Sequence, residues 1–357
     1  MKNLIRLKDS RAVRLAASAV AVAAVMAGAV GLVAGQGNAA PPNKADAPGK
    51  NTGPEHAKLK HGLLKVKGTR ASDAIALRLK AGDPGTLQVD FGDDGSADFS
   101  FARNEIAKIA VDARAGDDRV RIDDSNGAFT DAIPTAIDGG DGNDTIAGGN
   151  GIETLLGGDG NDSVDGNGGN DAALLGAGDD TFVWDPGDGS DTIEGGDGAD
   201  TMLFNGANGA EKIELSANGN RLRFTRDVAG ITMDTNGVER VDFNALGGAD
   251  LVTVNDLSGT DVGSVNVDLA GTLGGPTGDG QSDRVVVNTT NNDDTIKVSG
   301  DATEVTAKGL DPLVAILHPE AANDRLEINT LAGRDTVDSS GLAAGAIQLF
   351  VNGALVP

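Results

Sequence analysis

A nine-residue pattern recurs between residues 139 and 203 of this 357-residue chain, and it constrains the fold more than any other feature. Five copies follow one another without a gap, Trp184 and Asp185 are then inserted, and two further copies follow. We number the positions of each copy as slots one to nine. A repeat this short predicts a coiled β-structure to which each copy adds one strand and one turn. The copies read GGDGNDTIA, GGNGIETLL, GGDGNDSVD, GNGGNDAAL, LGAGDDTFV, PGDGSDTIE and GGDGADTML.

Two kinds of slot define the expected backbone. Glycine is frequent at slots one, two and four, where we expect a tight turn with positive φ. Slot eight is apolar in every copy, so slots seven to nine are expected to form a short strand whose middle side chain points inward. Slots one to six would then form the turn to the next strand. The slot-eight residues are Ile146, Leu155, Val164, Ala173, Phe182, Ile193 and Met202.

Slot six is acidic in every copy, and its placement follows from the predicted coil. If consecutive strands alternate between two facing sheets, the turns of every second copy stack along the same edge. The inserted Trp184 and Asp185 would interrupt that stacking on one edge only. Along one edge we expect Asp144, Asp162, Asp180 and Asp200. Along the other edge we expect Glu153, Asp171 and Asp191.

The stacked turns predict a site for several calcium ions. Each gap between turns would offer two carboxylates and several carbonyl oxygens, a flexible all-oxygen cage that suits calcium better than magnesium, zinc or copper. Residues 122–211 contain 20 Asp or Glu and no Lys, Arg or His, so cations from solution must neutralise them. The candidate ligands are the seven slot-six residues together with the slot-three residues Asp141, Asp159 and Asp197.

We also predict that this block is disordered without calcium and folds when calcium binds. Glycine loses the most conformational freedom on ordering, and neighbouring carboxylates repel one another. The alternative is a flexible linker rich in glycine and aspartate. A linker would not keep an apolar residue at slot eight through seven copies.

The copies resemble the hemolysin-type, or repeats-in-toxin (RTX), calcium-binding nonapeptide family, whose pattern is G-G-x-G-x-D-x-U-x with U a large apolar residue. The resemblance implies a right-handed parallel β-roll in which slot-six aspartates and turn carbonyls ligate calcium. The match is complete over residues 139–147, 157–165 and 195–203. We expect weaker or empty sites where the pattern is broken, at Glu153, Asn167 with Ala173, Leu175 and Pro186.

Five diluted copies lie outside the block, each with an apolar-x-apolar strand that begins nine residues before an aspartate. For most of these aspartates we expect a role in closing a turn rather than in binding metal. The predicted fold class is all-β: a right-handed parallel β-roll (β-solenoid) flanked, over residues 62–138 and 204–357, by degenerate β-solenoid or stacked-strand segments. The five aspartates are Asp73, Asp118, Asp250, Asp294 and Asp335.

The beginning of the chain predicts export. Basic residues precede an Ala/Val/Gly run at 15–34, and small residues follow, which is typical of a secretory signal peptide over 1–40. An uncleaved membrane anchor is the alternative. Residues 41–61 are expected to form a flexible spacer. The absence of cysteine excludes a disulfide-linked partner, and a net charge of −25 disfavours nucleic acid.

The sequence offers little for catalysis. The three histidines, His56, His61 and His318, form no zinc motif, and there is no nucleophile elbow or phosphate loop. We therefore expect a secreted, non-enzymatic calcium-binding protein, structural or adhesive at the cell surface or in the extracellular matrix, with a polysaccharide or protein partner. The alternative is a carbohydrate-active β-solenoid enzyme with structural calcium.

Overall fold

A computed structural model describes residues 56–357, which form an all-β fold of two long sheets with 15 and 14 strands. This confirms the predicted fold class. The predicted leader and residues 41–55 of the predicted spacer lie outside the described residues. The end of that spacer, residues His56–Lys60, forms a strand instead, because it pairs antiparallel with the next strand, Leu63–Lys67.

The strands are short and follow one another closely along the chain. The first eight are β1 (His56–Lys60), β2 (Leu63–Lys67), β3 (Ala74–Lys80), β4 (Asp83–Phe91), β5 (Phe99–Ala102), β6 (Lys108–Ala115), β7 (Arg119–Asp123) and β8 (Thr135–Asp141). The next seven are β9 (Thr145–Ala147), β10 (Glu153–Asp159), β11 (Ser163–Asp165), β12 (Ala172–Ala177), β13 (Thr181–Trp184), β14 (Thr192–Asp197) and β15 (Thr201–Asn205).

The remaining strands belong to the C-terminal segment. They are β16 (Lys212–Asn218), β17 (Arg221–Arg226), β18 (Ile231–Asn236), β19 (Arg240–Asn244), β20 (Leu251–Val254), β21 (Ser264–Asp268), β22 (Arg284–Asn288), β23 (Thr295–Gly300), β24 (Glu304–Lys308), β25 (Leu313–Leu317), β26 (Arg325–Asn329), β27 (Thr336–Leu342), β28 (Gln348–Val351) and β29 (Ala354–Leu355). Three short 3-10 helices span Arg103–Glu105, Asp124–Asn126 and Val228–Gly230. None of the helices within residues 56–357 has the length and hydrophobicity needed to cross a membrane.

From β6 to β15 the chain alternates between the two sheets, so each pair of strands makes one coil of a parallel β-roll. Val164 of β11 lies in register with Ile146 before it and Phe182 after it. All seven slot-eight side chains are buried and form part of one continuous apolar core. The expected alternation of strands between two facing sheets is thereby confirmed.

The inserted Trp184 and Asp185 lengthen one coil without breaking the register. Phe182 still pairs with Met202, although two extra residues separate them. Trp184 is fully buried and stacks on Phe204, with ring centroids 3.9 Å apart. The insertion therefore adds an aromatic side chain to the core.

Two details of the expected repeat differ in the structure. In the 15-stranded sheet, strands such as β10 run through slots one to three of the next copy, so the turn there is shorter than expected. Positive φ occurs at slots two and four, as at Gly158 and Gly160, but not at slot one. In these strands slot one is extended backbone, and glycine there leaves space beside the slot-six carboxylate.

The flanking segments combine both predicted architectures. Their coils continue the parallel ladders, as in β20–β22–β26, and antiparallel meanders are inserted within the sheets. The meanders are β3–β4–β5, β16–β17–β18 and β23–β24–β25. Both sheets therefore extend through the repeat block into the regions on either side.

Candidate metal centre

The turns between the sheets form two edges. We call the edge formed by turns that lead from the 15-stranded to the 14-stranded sheet the first edge, and the opposite edge the second edge. The expected assignment of the slot-six residues is confirmed. The first edge holds Asp144, Asp162, Asp180 and Asp200, and the second edge holds Glu153, Asp171 and Asp191.

A ladder of hydrogen bonds links the carboxylate of each slot-six aspartate to the preceding coil. On the first edge the N–H of Asp144 donates to Oδ1 of Asp162 at 2.7 Å, and the N–H of Asp162 donates to Oδ1 of Asp180 at 2.7 Å. On the second edge the N–H of Glu153 donates to Oδ1 of Asp171 at 2.8 Å. One oxygen of each carboxylate is thus held in place by the backbone.

The other oxygen of each carboxylate has no partner. The Oδ2 atoms of the six slot-six aspartates, and Oε1 of Glu153, are buried without a hydrogen bond. A buried ionised oxygen without a donor is costly, on the order of several kcal/mol. Such an oxygen needs a proton or a cation. The six aspartates are Asp144, Asp162, Asp171, Asp180, Asp191 and Asp200.

Slot-one glycines leave the space that these oxygens border. A Cβ added to Gly139 would lie 2.3 Å from Oδ2 of Asp144 and 2.6 Å from the carbonyl oxygen of Gly157. One coil later, a Cβ at Gly157 would lie 2.4 Å from Oδ2 of Asp162 and 2.3 Å from the carbonyl oxygen of Leu175. A carboxylate oxygen and a carbonyl oxygen of the next coil therefore border the same space. Both are hard oxygen ligands of the kind that calcium takes.

Burial raises the pKa of every slot-six carboxyl in the block, and neighbouring carboxylates add to the shift. The effect is largest for Asp171, whose pKa is raised to about 9, followed by Asp191 at about 7. The pKa values of Glu153 and Asp180 are also raised by burial. The pKa is raised to about 6 for Asp144, Asp162 and Asp200.

Side-chain cations do not neutralise these carboxylates. Arg221 pairs with Glu194 and Asp234, and Arg226 pairs with Glu211. Across residues 56–357, no ion pair includes a slot-six residue of the block. The charge of the two columns is therefore available to ions from solution.

The donor set is small. In the described part of the chain, no three His, Asp or Glu side chains are grouped so that they could hold a metal ion. A cation between coils would therefore use at most two carboxylates and take its other ligands from backbone carbonyls or water. Calcium accepts irregular cages of this kind.

The slot-three aspartates are not part of the buried columns. Asp141, Asp159 and Asp197 are exposed at the ends of their strands. Their backbone carbonyls accept hydrogen bonds from the turn of the preceding coil, as Asp159 does from the N–H of Gly142 at 2.7 Å. The structure thus separates these three carboxylates from the slot-six set with which the sequence grouped them.

Slot five carries a second ladder that the sequence analysis did not identify. The N–H of Asn161 donates to Oδ1 of Asn143 at 2.7 Å, and the N–H of Asp179 donates to Oδ1 of Asn161 at 3.0 Å. The side chain of one coil here accepts from the following coil, opposite to the direction at slot six. The recurring Asn or Asp at slot five is the signal that could have revealed it.

No protein-family model matches this chain, and no curated protein matches it.

Proposed function

We propose that this chain is a secreted, non-enzymatic calcium-binding repeat protein whose β-roll, residues 139–203, folds on binding several calcium ions. The observation that carries this proposal is the column of buried carboxylate oxygens without a hydrogen-bond donor at slot six. Each is held in place through its other oxygen and borders space lined by further oxygen atoms. The resemblance to the RTX nonapeptide pattern supports the same conclusion.

Calcium fits the site better than protons do at neutral pH. With pKa values near 6, Asp144, Asp162 and Asp200 are mostly ionised at pH 7, so their mutual repulsion opposes folding. An ion that binds only the folded block adds its binding free energy to folding. Outside the cell, calcium is concentrated enough to fill sites of modest affinity.

A structural or adhesive role at the cell surface or in the matrix agrees best with the described surface. The exposed large apolar side chains of residues 56–357 include no aromatic residue that could stack on a sugar ring. This favours a binding or scaffolding protein over the carbohydrate-active alternative. Of the two expected partners, a polysaccharide or a protein, the protein agrees better with this surface.

Hydrogen exchange of the full chain with calcium and with a chelator tests the proposal. We expect calcium to protect the amides of residues 139–203 strongly, and chelation to remove that protection while the flanking strands change less. Calorimetric titration with calcium should show binding of several ions, and magnesium at the same concentration should bind more weakly. Unchanged protection together with no heat of calcium binding would overturn the proposal.

A further inference from the structure

Two classes of turn in this fold are distinguished by the conformation and contacts of the residue at slot two. In closed turns, the N–H of slot two donates to the second oxygen of the slot-six acid. Thr69 donates in this way to Oδ2 of Asp73 at 2.6 Å, and Thr290 to Oδ2 of Asp294 at 3.0 Å. The other two closed turns pair Ala207 with Glu211 and Glu320 with Asp324. The second oxygen of these four acids needs no further cation or proton. The N–H of Gly149 also donates to Oε2 of Glu153, but Oε1 of Glu153 is buried without a partner, so this turn belongs to neither class.

In open turns, slot two has positive φ and the second oxygen of the slot-six aspartate has no partner. All six slot-six aspartates of the repeat block lie in open turns. None of the four closed turns has positive φ at slot two. Positive φ at slot two thus accompanies an aspartate with a free second oxygen. In the block these slot-two residues are Gly140, Gly158, Asn167, Gly176, Gly187 and Gly196.

Two open turns lie outside the repeat block. Arg114 has φ +90 at slot two of the turn that contains Asp118, and Leu246 has φ +65 at slot two of the turn that contains Asp250. Asp118 and Asp250 are each only 2% exposed, and the Oδ2 atom of each is buried without a partner. Residues with a side chain rarely adopt positive φ, so the surrounding coils must hold these two turns open.

Both aspartates belong to the same ladders of hydrogen bonds between coils as the slot-six aspartates of the block. Oδ1 of Asp118 accepts from the N–H of Asp73 at 2.6 Å, and the N–H of Asp118 donates to Asp144 at 2.7 Å. Oδ1 of Asp250 accepts from the N–H of Glu211 at 2.8 Å. Asp118 therefore extends the first edge before the block, and Asp250 lies on the second edge after it.

No side-chain cation satisfies either Oδ2 atom. The guanidinium of Arg114 lies 3.5 Å from the carbonyl oxygen of Gly68 rather than on Asp118. The charged groups nearest to Asp250 include Asp283, Glu211 and Asp279, and all three are acidic. Both sites thus combine a fixed, buried carboxylate with an unpartnered oxygen in an acidic setting. Slot one is alanine in both turns, Ala113 and Ala245, so the space beside the carboxylate is narrower than at the glycines of the block.

We propose that Asp118 and Asp250 mark two further calcium sites outside the nonapeptide block, formed because their turns are open. This inference rests on the proposed function, since it extends the same ligand to turns that lack the repeat pattern. It also assigns no calcium to Asp73 and Asp294. Their turns are closed, although their sequences resemble those of the Asp118 and Asp250 turns.

Counting bound calcium by equilibrium dialysis of the full chain tests this assignment. Asp118→Asn and Asp250→Asn should each lose one ion per chain, because asparagine keeps the Oδ1 acceptor of the ladder and removes the charge. Asp73→Asn and Asp294→Asn are the matched controls in closed turns, and they should bind as many ions as the unchanged chain.

A second measurement does not depend on variants that fold. The carboxyl ¹³C resonances of Asp118 and Asp250 in the unchanged chain should shift on addition of calcium, while those of Asp73 and Asp294 should stay in place. If the chain binds calcium but all four variants keep every ion and the four resonances behave alike, the inference is overturned and the proposed function stands. If the unchanged chain binds no calcium, both are overturned.

Discussion

The backbone N–H of Asp144 donates to Oδ1 of Asp162 in the next coil at 2.7 Å, while Oδ2 of Asp162 is buried without a donor. The two oxygens of one carboxylate thus have different roles. Oδ1 accepts a hydrogen bond that joins neighbouring coils, whether or not an ion is bound. Oδ2 adds an uncompensated charge that opposes folding until a proton or a cation arrives.

Substitutions of Asp162 should separate these two roles. Asp162→Asn keeps the acceptor and removes the charge, so we expect it to raise the free energy of unfolding in chelator and to weaken calcium binding. Asp162→Ala also leaves the buried N–H of Asp144 without an acceptor, which costs about 1 to 3 kcal/mol. Urea unfolding with and without calcium measures both effects. Equal stability of the two variants in chelator would contradict the role given to Oδ1.

The pH dependence of stability should change sign with calcium. The folded-state pKa values of Asp144, Asp162 and Asp200, at about 6, lie above the ordinary value of 3.8, so between these values the folded state binds more protons than the unfolded state. Without calcium, the stabilisation from these groups is therefore complete below about pH 4 and is lost as pH rises through about 6.

With saturating calcium, stability should instead increase over the same pH range, because the ion binds the deprotonated carboxylates. Thermal unfolding midpoints from pH 4 to 8, in calcium and in chelator, measure both slopes. Parallel slopes in the two conditions would argue against ion binding at these carboxylates.

Glycine at slot two of the block is favoured for two separable reasons, which a pair of variants can distinguish. A Cβ at Gly158, with φ +125, would lie 1.9 Å from the backbone carbonyl oxygen of Gly140. Gly187 has almost the same φ, +128, but a Cβ there would meet nothing within 4 Å. Gly187→Ala should therefore cost only the strain of positive φ, about 1 to 3 kcal/mol.

Gly158→Ala should cost distinctly more, because the backbone of two coils must also move apart. Urea unfolding in calcium compares the two variants directly. If the two substitutions cost the same, close contact between coils contributes nothing to the glycine requirement at Gly158.

The repeat block was predictable because its period fixes both the sheet and the edge of each residue. The apolar slot eight predicted the core, and the acidic slot six predicted two stacked columns. The flanks were harder, since meanders such as β16–β17–β18 separate consecutive coils by unequal lengths. For this reason the sequence did not predict three further turn carboxylates, those of Glu211, Asp283 and Asp324. Each of them lies two residues before a buried apolar residue, as a slot-six residue does; these residues are Ile213, Val285 and Leu326.

The class of a turn is harder still to infer from residue types. Thr69 and Arg114 both stand at slot two of diluted copies, yet only Arg114 has positive φ. Which conformation is adopted depends on contacts with the neighbouring coils. The sequence therefore predicted where the carboxylates lie better than whether their second oxygens accept a hydrogen bond.

Arg226 supplies a positive charge to a buried turn carboxylate that follows the repeat block. It pairs with the fully buried carboxylate of Glu211, and its guanidinium carbon lies 5.1 Å from the ring centroid of Trp184. Arg226→Met would leave Glu211 buried and unpaired, so we expect a loss of about 3 to 5 kcal/mol in the free energy of unfolding. Combining it with Glu211→Gln should restore much of that loss.

Trp184 is the one tryptophan of the chain, so its fluorescence reports on this junction during urea unfolding. Because the ion pair supplies its own cation, the stability difference between Arg226→Met and the double variant should be nearly the same in chelator as in moderate calcium. If calcium fully restored the stability of Arg226→Met, the result would instead mean that Glu211 without its arginine binds an ion, as the open turns are proposed to do.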